Sequence, residues 1–292
     1  MDVLIQIVAS GLTLGAMYAV STAALSLVWG ALGMLNMAHG AILTFGGYAC
    51  WWAIQELGLP VILGLPVALV AGALLGLLIY FGLVARMLRS RGFETNIIIA
   101  TVGVGIALES AILKLFGAYP APQPFAVGGG FNLGKVYVPT QNLLILLSSI
   151  VLMVLVALLL ERTRTGRAIR ATAQNREAAR LMGVRVGRTY AQVLALSGAL
   201  AAIGGIMVSS LATLSPTMGG DPMLKAFIIC VVAGLGNVYG AVIAALALGL
   251  VEASAQFLFG VRFGFATLLL IVIVVLIWRP YGLFGRQQVT RL

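Results

Sequence analysis

Residues 57–85 read LGLPVILGLPVALVAGALLGLLIYFGLVA, without one charged side chain. A helix needs about 20 mainly apolar residues to cross ~30 Å of hydrocarbon. This stretch exceeds that length, and it lacks the period-two alternation of a membrane strand. Other uncharged runs are Val3–Ala38, Val136–Leu160, Thr189–Gly220, Ala226–Val251 and Phe263–Trp278. The run Thr95–Leu108 continues to about Phe116 across Glu109 and Lys114. The pattern predicts an all-α fold: a polytopic transmembrane helical bundle of about eight or nine spans, with broken or re-entrant segments.

Composition excludes the other classes. Hydrophobic residues make up 61% of the chain and charged residues 9%, with a mean hydropathy of +1.10. Soluble domains hold roughly 45–50% and about 25%, so lipid must cover part of this surface. Disorder is excluded by the same apolar excess. Cys50 and Cys230 lie far apart in apolar stretches, and His39 is the only histidine. Neither a disulfide framework nor a metal site is readable. The net charge of +10 does not indicate nucleic acid, because the basic residues cluster between apolar runs as topology determinants do. The N-terminal Met-Asp-Val-Leu-Ile lacks a positive n-region, so it is read as an uncleaved first span.

Those clusters set the expected orientation. Arg86, Arg89 and Arg91 form the first, the arginines of Glu161–Arg188 the second, and Arg279, Arg286 and Arg291 the third. All three should face the cytoplasm. The Pro/Gly-rich segment of about 118–141, holding only Lys135, should lie outside. Three spans precede Arg86, near 3–29, 38–56 and 60–85, which places the N-terminus outside. Four follow Arg188, near 189–212, 223–236, 238–259 and 262–279, which places the C-terminus inside. Met223–Gly236 is short for a full crossing.

Two glycine-rich interruptions stand out, Trp29–Ala41 and Gly234–Ala241. Each combines closely spaced glycines with an asparagine. Matching glycine breaks in two halves point to a transporter's binding site, whereas small residues also serve plain helix packing; both readings stay open. The candidate pathway residues are Asn36, His39, Gly40, Thr44, Gly236 and Asn237.

The polar stretch of about 161–188 is too helix-compatible for a mere connector. Asn175 suits an N-cap, Glu177 suits the first turn and Gly183 suits the C′ position. Ala178, Leu181 and Met182 fall on one face, so a two-turn amphipathic helix with an apolar knob is expected, docking in a protein groove or on the lipid surface.

Glu177-Ala178-Ala179, three residues and then Gly183 resembles the "EAA…G" coupling motif of ABC-importer permeases, although Val193-Leu194-Ala195-Leu196 lacks that motif's later proline. Leu35-Asn36-Met37-Ala38-His39-Gly40 is similar to the "iNfAHG" signature of the branched-chain amino-acid ABC permease family. Thr165–Ala171, Ser197–Ala201 and Arg279–Gly285 resemble further patterns of that family. The likeness covers most of the chain. It implies a single transmembrane permease domain over residues 1–292 in a bacterial inner membrane. It also implies a coupling helix of Asn175, Arg176, Glu177, Ala178, Ala179, Arg180, Leu181, Met182 and Gly183. The implied partners are a second related permease, two ATPase subunits and an extracytoplasmic binding protein. The implied cargo is branched-chain or other small apolar amino acids, with urea or short amides as the alternative.

No Gly-x-x-x-x-Gly-Lys-[Ser/Thr] loop occurs, and no acid/base or nucleophile constellation is visible. The chain is expected not to be an enzyme and to bind no cofactor, ATP and Mg being used by partner subunits. Glu109 and Glu252 are the intramembrane charges. Such groups are functional by default, while the structural alternative is that each holds the bundle together. A self-sufficient carrier or channel would need paired ion-coupling carboxylates, and the spans offer isolated ones.

Overall fold

The computed structural model describes residues 2–88, 90, 92–124, 127–133 and 136–285. Arg89, Arg91, Lys135, Arg286 and Arg291, invoked above for topology, lie outside the described residues. Eleven helices are described. They are α1 Asp2–Leu32, α2 His39–Gln55, α3 Val61–Met87 (with a π-turn over Tyr80–Val84), α4 Phe93–Phe116 and α5 Thr140–Arg162. Then follow α6 Arg164–Gln174, α7 Arg176–Leu181, α8 Val186–Leu211, α9 Gly220–Ala233, α10 Val238–Phe259 and α11 Phe263–Trp278. One antiparallel hairpin, Gly130–Leu133 with Val136–Pro139, precedes α5.

Six helices are long and apolar enough to cross a membrane: α1, α3, α4 (from Thr95), α5, α8 and α10. The shorter α2, α9 and α11 complete the bundle. Their lengths have a physical origin. Gly33, at φ +65°, ends α1 in the left-handed region that glycine tolerates. The chain then returns without helix until His39, beside the middle of α4, where a Cβ on Gly105 would lie 3.4 Å from Ala38 Cα. After α8 the chain does the same over residues 212–219. Each return leaves room for only a partial-length helix, α2 or α9.

The halves repeat one packing scheme in opposite directions. α1 runs antiparallel to α10, with Gly11 and Gly15 against Leu250 and Leu246. α3 runs antiparallel to α8, with Gly72 against Gly198 and Gly76 against Leu194. α2 leans on α3, α4 and α8, and α9 correspondingly leans on α10, α11 and α1. The quartet α8–α11 therefore repeats α1–α4 upside down. The half-helices start where the quartets meet: a Cβ on Gly40 would lie 2.7 Å from the Gly219 carbonyl. Small residues at the crossings give this proximity, as they do in membrane helix pairs generally.

The glycine-rich stretch Gly234–Ala241 is not the counterpart of Trp29–Ala41 that its residue types suggest. The break equivalent to Gly33–Ala38 is residues 212–219, and Gly236 and Asn237 form the turn between α9 and α10 instead. The second return was missed because Thr217-Met218-Gly219-Gly220 carries no asparagine or histidine to mark it.

Candidate functional site

The basic loop contains two helices where one was expected. Thr163 caps α6, its Oγ1 accepting from Gly166 N at 3.0 Å. Gly166 sits directly on the Leu159 and Leu160 backbone, where a side chain would clash. Ile169 and Thr172 turn inward. Asn175 then caps α7, its Oδ1 accepting from Glu177 N and Ala178 N, both at 3.0 Å. Val184 N donates to Ala179 O at 3.0 Å and Gly183 N to Arg180 O at 3.1 Å, with Gly183 at φ +83°. This is a glycine-terminated Schellman close.

The surface of α7 divides sharply. Leu181 and Met182 are 87% and 85% exposed, whereas Ala179 is 4% exposed. Asn175, Arg176, Glu177, Ala178, Arg180 and Gly183 are also exposed. Ala179 lies within the expected helix but faces the body of the chain, away from the exposed Leu181 and Met182. The exposed pair Leu181 and Met182 is the apolar knob.

The residues Asn36, His39, Gly40 and Thr44 come together at the start of α2. All are buried. Asn36 Oδ1 accepts from Ala38 N at 3.2 Å, and Thr44 Oγ1 donates to Gly40 O at 3.1 Å. Thr101 of α4 accepts from Met37 N at 3.1 Å, a polar contact the sequence did not single out. Neither ring nitrogen of His39 has a partner among the described residues. Gly236 and Asn237 lie elsewhere. Asn237 caps α10, accepting from Gly240 N at 2.9 Å, and its Nδ2 donates to Phe284 O at 3.1 Å. These two residues line a cavity of about 530 Å³ with Gly30, Arg170, Tyr239 and Phe284. Tyr239 Oη also donates to Glu161 at 2.7 Å, joining α10 to the end of α5.

Of the two intramembrane glutamates, Glu109 is half-buried and makes no hydrogen bond or ion pair among the described residues. Glu252 is fully buried and is not isolated. Lys225 Nζ of α9 lies 2.9 Å from Glu252 Oε1 and 3.2 Å from Asp221 Oδ2, and donates to Tyr18 Oη at 3.2 Å. Gln256 Nε2 also donates to Glu252 Oε1, at 3.0 Å. Three elements, α1, α9 and α10, are thus joined by one cationic group. The pair is hidden in the sequence because its members stand in different helices with no local spacing to link them. The usable signal was that opposite charges inside a membrane seek each other.

Six membrane-length helices, two inverted quartets and a capped helix raised from a basic loop define a multi-pass membrane transport component. Residues 7–278 match the family described as branched-chain amino acid transport system, permease component. The chain belongs to that family. It is 28% identical to the high-affinity branched-chain amino acid transport system permease protein BraD of Pseudomonas aeruginosa, over 98% of this chain and 97% of that one. Its identity to the corresponding LivH protein of Escherichia coli is 26%, over 97% and 96%. With a probable LivH permease of Methanocaldococcus jannaschii it is 29%, over 86% and 82%. No solved structure matches.

Proposed function

We propose that this chain is the membrane-spanning subunit of an ATP-driven importer of the ABC type. It carries branched-chain or other small apolar amino acids handed over by an extracytoplasmic binding protein. The observation that carries the reading is α7: a capped, glycine-closed helix leaves Leu181 and Met182 uncovered on a segment that also exposes Arg176, Arg180 and Arg185. A self-contained carrier has no use for such a knob, whereas an ATPase subunit supplies a groove for it. Two ATPase subunits, using ATP and Mg, and a second related permease complete the assembly. The chain itself performs no chemical conversion. The arginine-rich end faces the cytoplasm by the positive-inside bias, placing the N-terminus outside and the C-terminus inside a bacterial inner membrane. The names borne by the relatives support the amino-acid cargo.

The test is reconstitution. The chain should copurify with ATPase chains and, in proteoliposomes with binding protein, take up leucine only when ATP is present. Uptake by the chain alone, down a solute or ion gradient, would overturn the reading. Uptake of urea but not leucine would overturn the cargo.

A further inference from the structure

The cluster around Lys225 poses a problem of depth. Tyr18 comes from the middle of α1, and Glu252 lies about 10 Å from the nearer end of α10 at 1.5 Å per residue. Gly219, two residues before Asp221, touches Gly40 where the two half-helices begin. Asp221 therefore sits within the middle of the bundle. Yet its side chain is 67% exposed, against 13% for Lys225 and 0% for Glu252. A carboxylate open to hydrocarbon at that depth is expensive, and intramembrane charges face water-filled space or protein.

The cluster's charges do not cancel. Lys225 offers three N–H donors, and Asp221, Glu252 and Tyr18 occupy them. Two carboxylates share this one ammonium, leaving a formal charge of minus one. Glu252 Oε2, fully buried, has no partner among the described residues. Asp221 is the member of the cluster that opens to the surface of the chain. One turn along the same helix Leu224 is 45% exposed, an apolar neighbour to the carboxylate.

We propose that the face of α9 bearing Asp221 and Leu224 lines the aqueous solute pathway, with Asp221 receiving the substrate's ammonium group. This rests on the amino-acid importer reading above. Lys225 and Glu252 act as positioning residues: they fix α9 and hold the Asp221 carboxylate in place. A cargo with one ammonium and an apolar side chain meets one carboxylate and one leucine. The contact needs no partner for the cargo's own carboxylate, so the solute is passed on and not trapped.

The experiment uses the assembled complex in proteoliposomes, with Cys50 and Cys230 replaced by alanine. Single cysteines Asp221→Cys, Leu224→Cys and, on α11, Ile273→Cys are exposed to a membrane-impermeant, cationic methanethiosulfonate. Ile273 is 59% exposed and serves as the lipid-facing control. Asp221→Cys and Leu224→Cys should react at least tenfold faster than Ile273→Cys, and saturating leucine with binding protein should slow them. Rates equal to the Ile273→Cys control in the assembled complex would overturn the pathway assignment, including the case where a second permease covers this face. In a separate arm, Asp221→Asn should lower leucine uptake at least tenfold while Asp221→Glu retains most of it, both assembling with the ATPase chains. Wild-type uptake by Asp221→Asn would overturn the ammonium contact. Should Asp221 variants fail to assemble, Leu224→Cys labelling alone decides. ATP-dependent leucine uptake by the unmodified complex tests the importer reading separately.

Discussion

Gly40 and Gly219 meet backbone to backbone, and a methyl group on Gly40 would lie 2.7 Å from the Gly219 carbonyl and 3.1 Å from Met223 Cβ. Neither residue needs a left-handed backbone, so glycine is required here by space alone. Gly40→Ala should destabilise the chain by about 1–3 kcal/mol, the usual cost of overpacking a tight contact. Gly103→Ala, where a Cβ meets no atom within 4 Å, should be neutral or slightly stabilising within its helix. Thermal unfolding in detergent compares the two.

The exposed knob of α7 gives a cleaner coupling test than its buried face. Leu181→Glu should leave the chain inserted and folded, because the side chain touches little of its own chain. It should nevertheless lower ATPase stimulation by loaded binding protein at least tenfold, since an unpaired charge in an apolar groove costs several kcal/mol and about 1.4 kcal/mol is already tenfold. Ala179→Glu should instead lower the yield of folded permease. Stimulation unchanged in Leu181→Glu would rule out docking by this helix.

Sidedness is best probed with residues the fold leaves open. Tyr119 is 89% exposed and Gln174 is exposed. Cysteines at these two positions should be labelled from opposite sides of the membrane by an impermeant thiol reagent. Gln123, a loop residue that looks equally accessible in the sequence, should resist labelling. It is 4% exposed, and its Nε2 donates to Ser209 Oγ at 2.8 Å and Gly47 O at 3.3 Å.

Breaking the Lys225–Glu252 pair from one side should cost more than removing both charges. Lys225→Met strands Glu252 and should cost about 3–5 kcal/mol, while Lys225→Met with Glu252→Gln should recover much of it. A double-mutant cycle on thermal stability in detergent gives the coupling directly. Additive effects would show that the two residues act independently.

His39 is enclosed where α2 begins, with no partner among the described residues for either nitrogen. Its removal should disturb packing at the junction of the half-helices before it alters recognition. His39→Ala should lower uptake of all accepted solutes in similar proportion and keep their rank order. A changed rank order among competing amino acids would place the imidazole in contact with the cargo.

Span positions were legible because continuous apolar runs of membrane length have few alternative folds. The α7 caps were legible as well, since Asn175 and Gly183 act within a few residues of themselves. The capping threonine of α6 was overlooked, although Thr163 directly after Arg162 carried the same local signal. What remained hidden depends on distant residues. The Lys225–Glu252 pair, the burial of Ala179 and the seat of Gln123 arise from how helices are placed together. The matching of the two returns was misassigned for the same reason: Gly234–Ala241 shares residue types with Trp29–Ala41, but position in the inverted repeat follows helix order and packing.

The burial of α8 bears on how the chain is made. In its most apolar stretch 83% of α8 is buried, against 22% for α5, and its hydropathy there is 1.9 against 3.2. A helix so rich in glycine, alanine and serine gains less from lipid than α5 does. Its main neighbours α1, α2 and α3 all precede it in the chain. By the time α8 leaves the ribosome, the slot it fills has already been synthesised. The order of synthesis thus relieves α8 of the need to be a strong insertion signal, and its surface is free to be shaped for contact with protein.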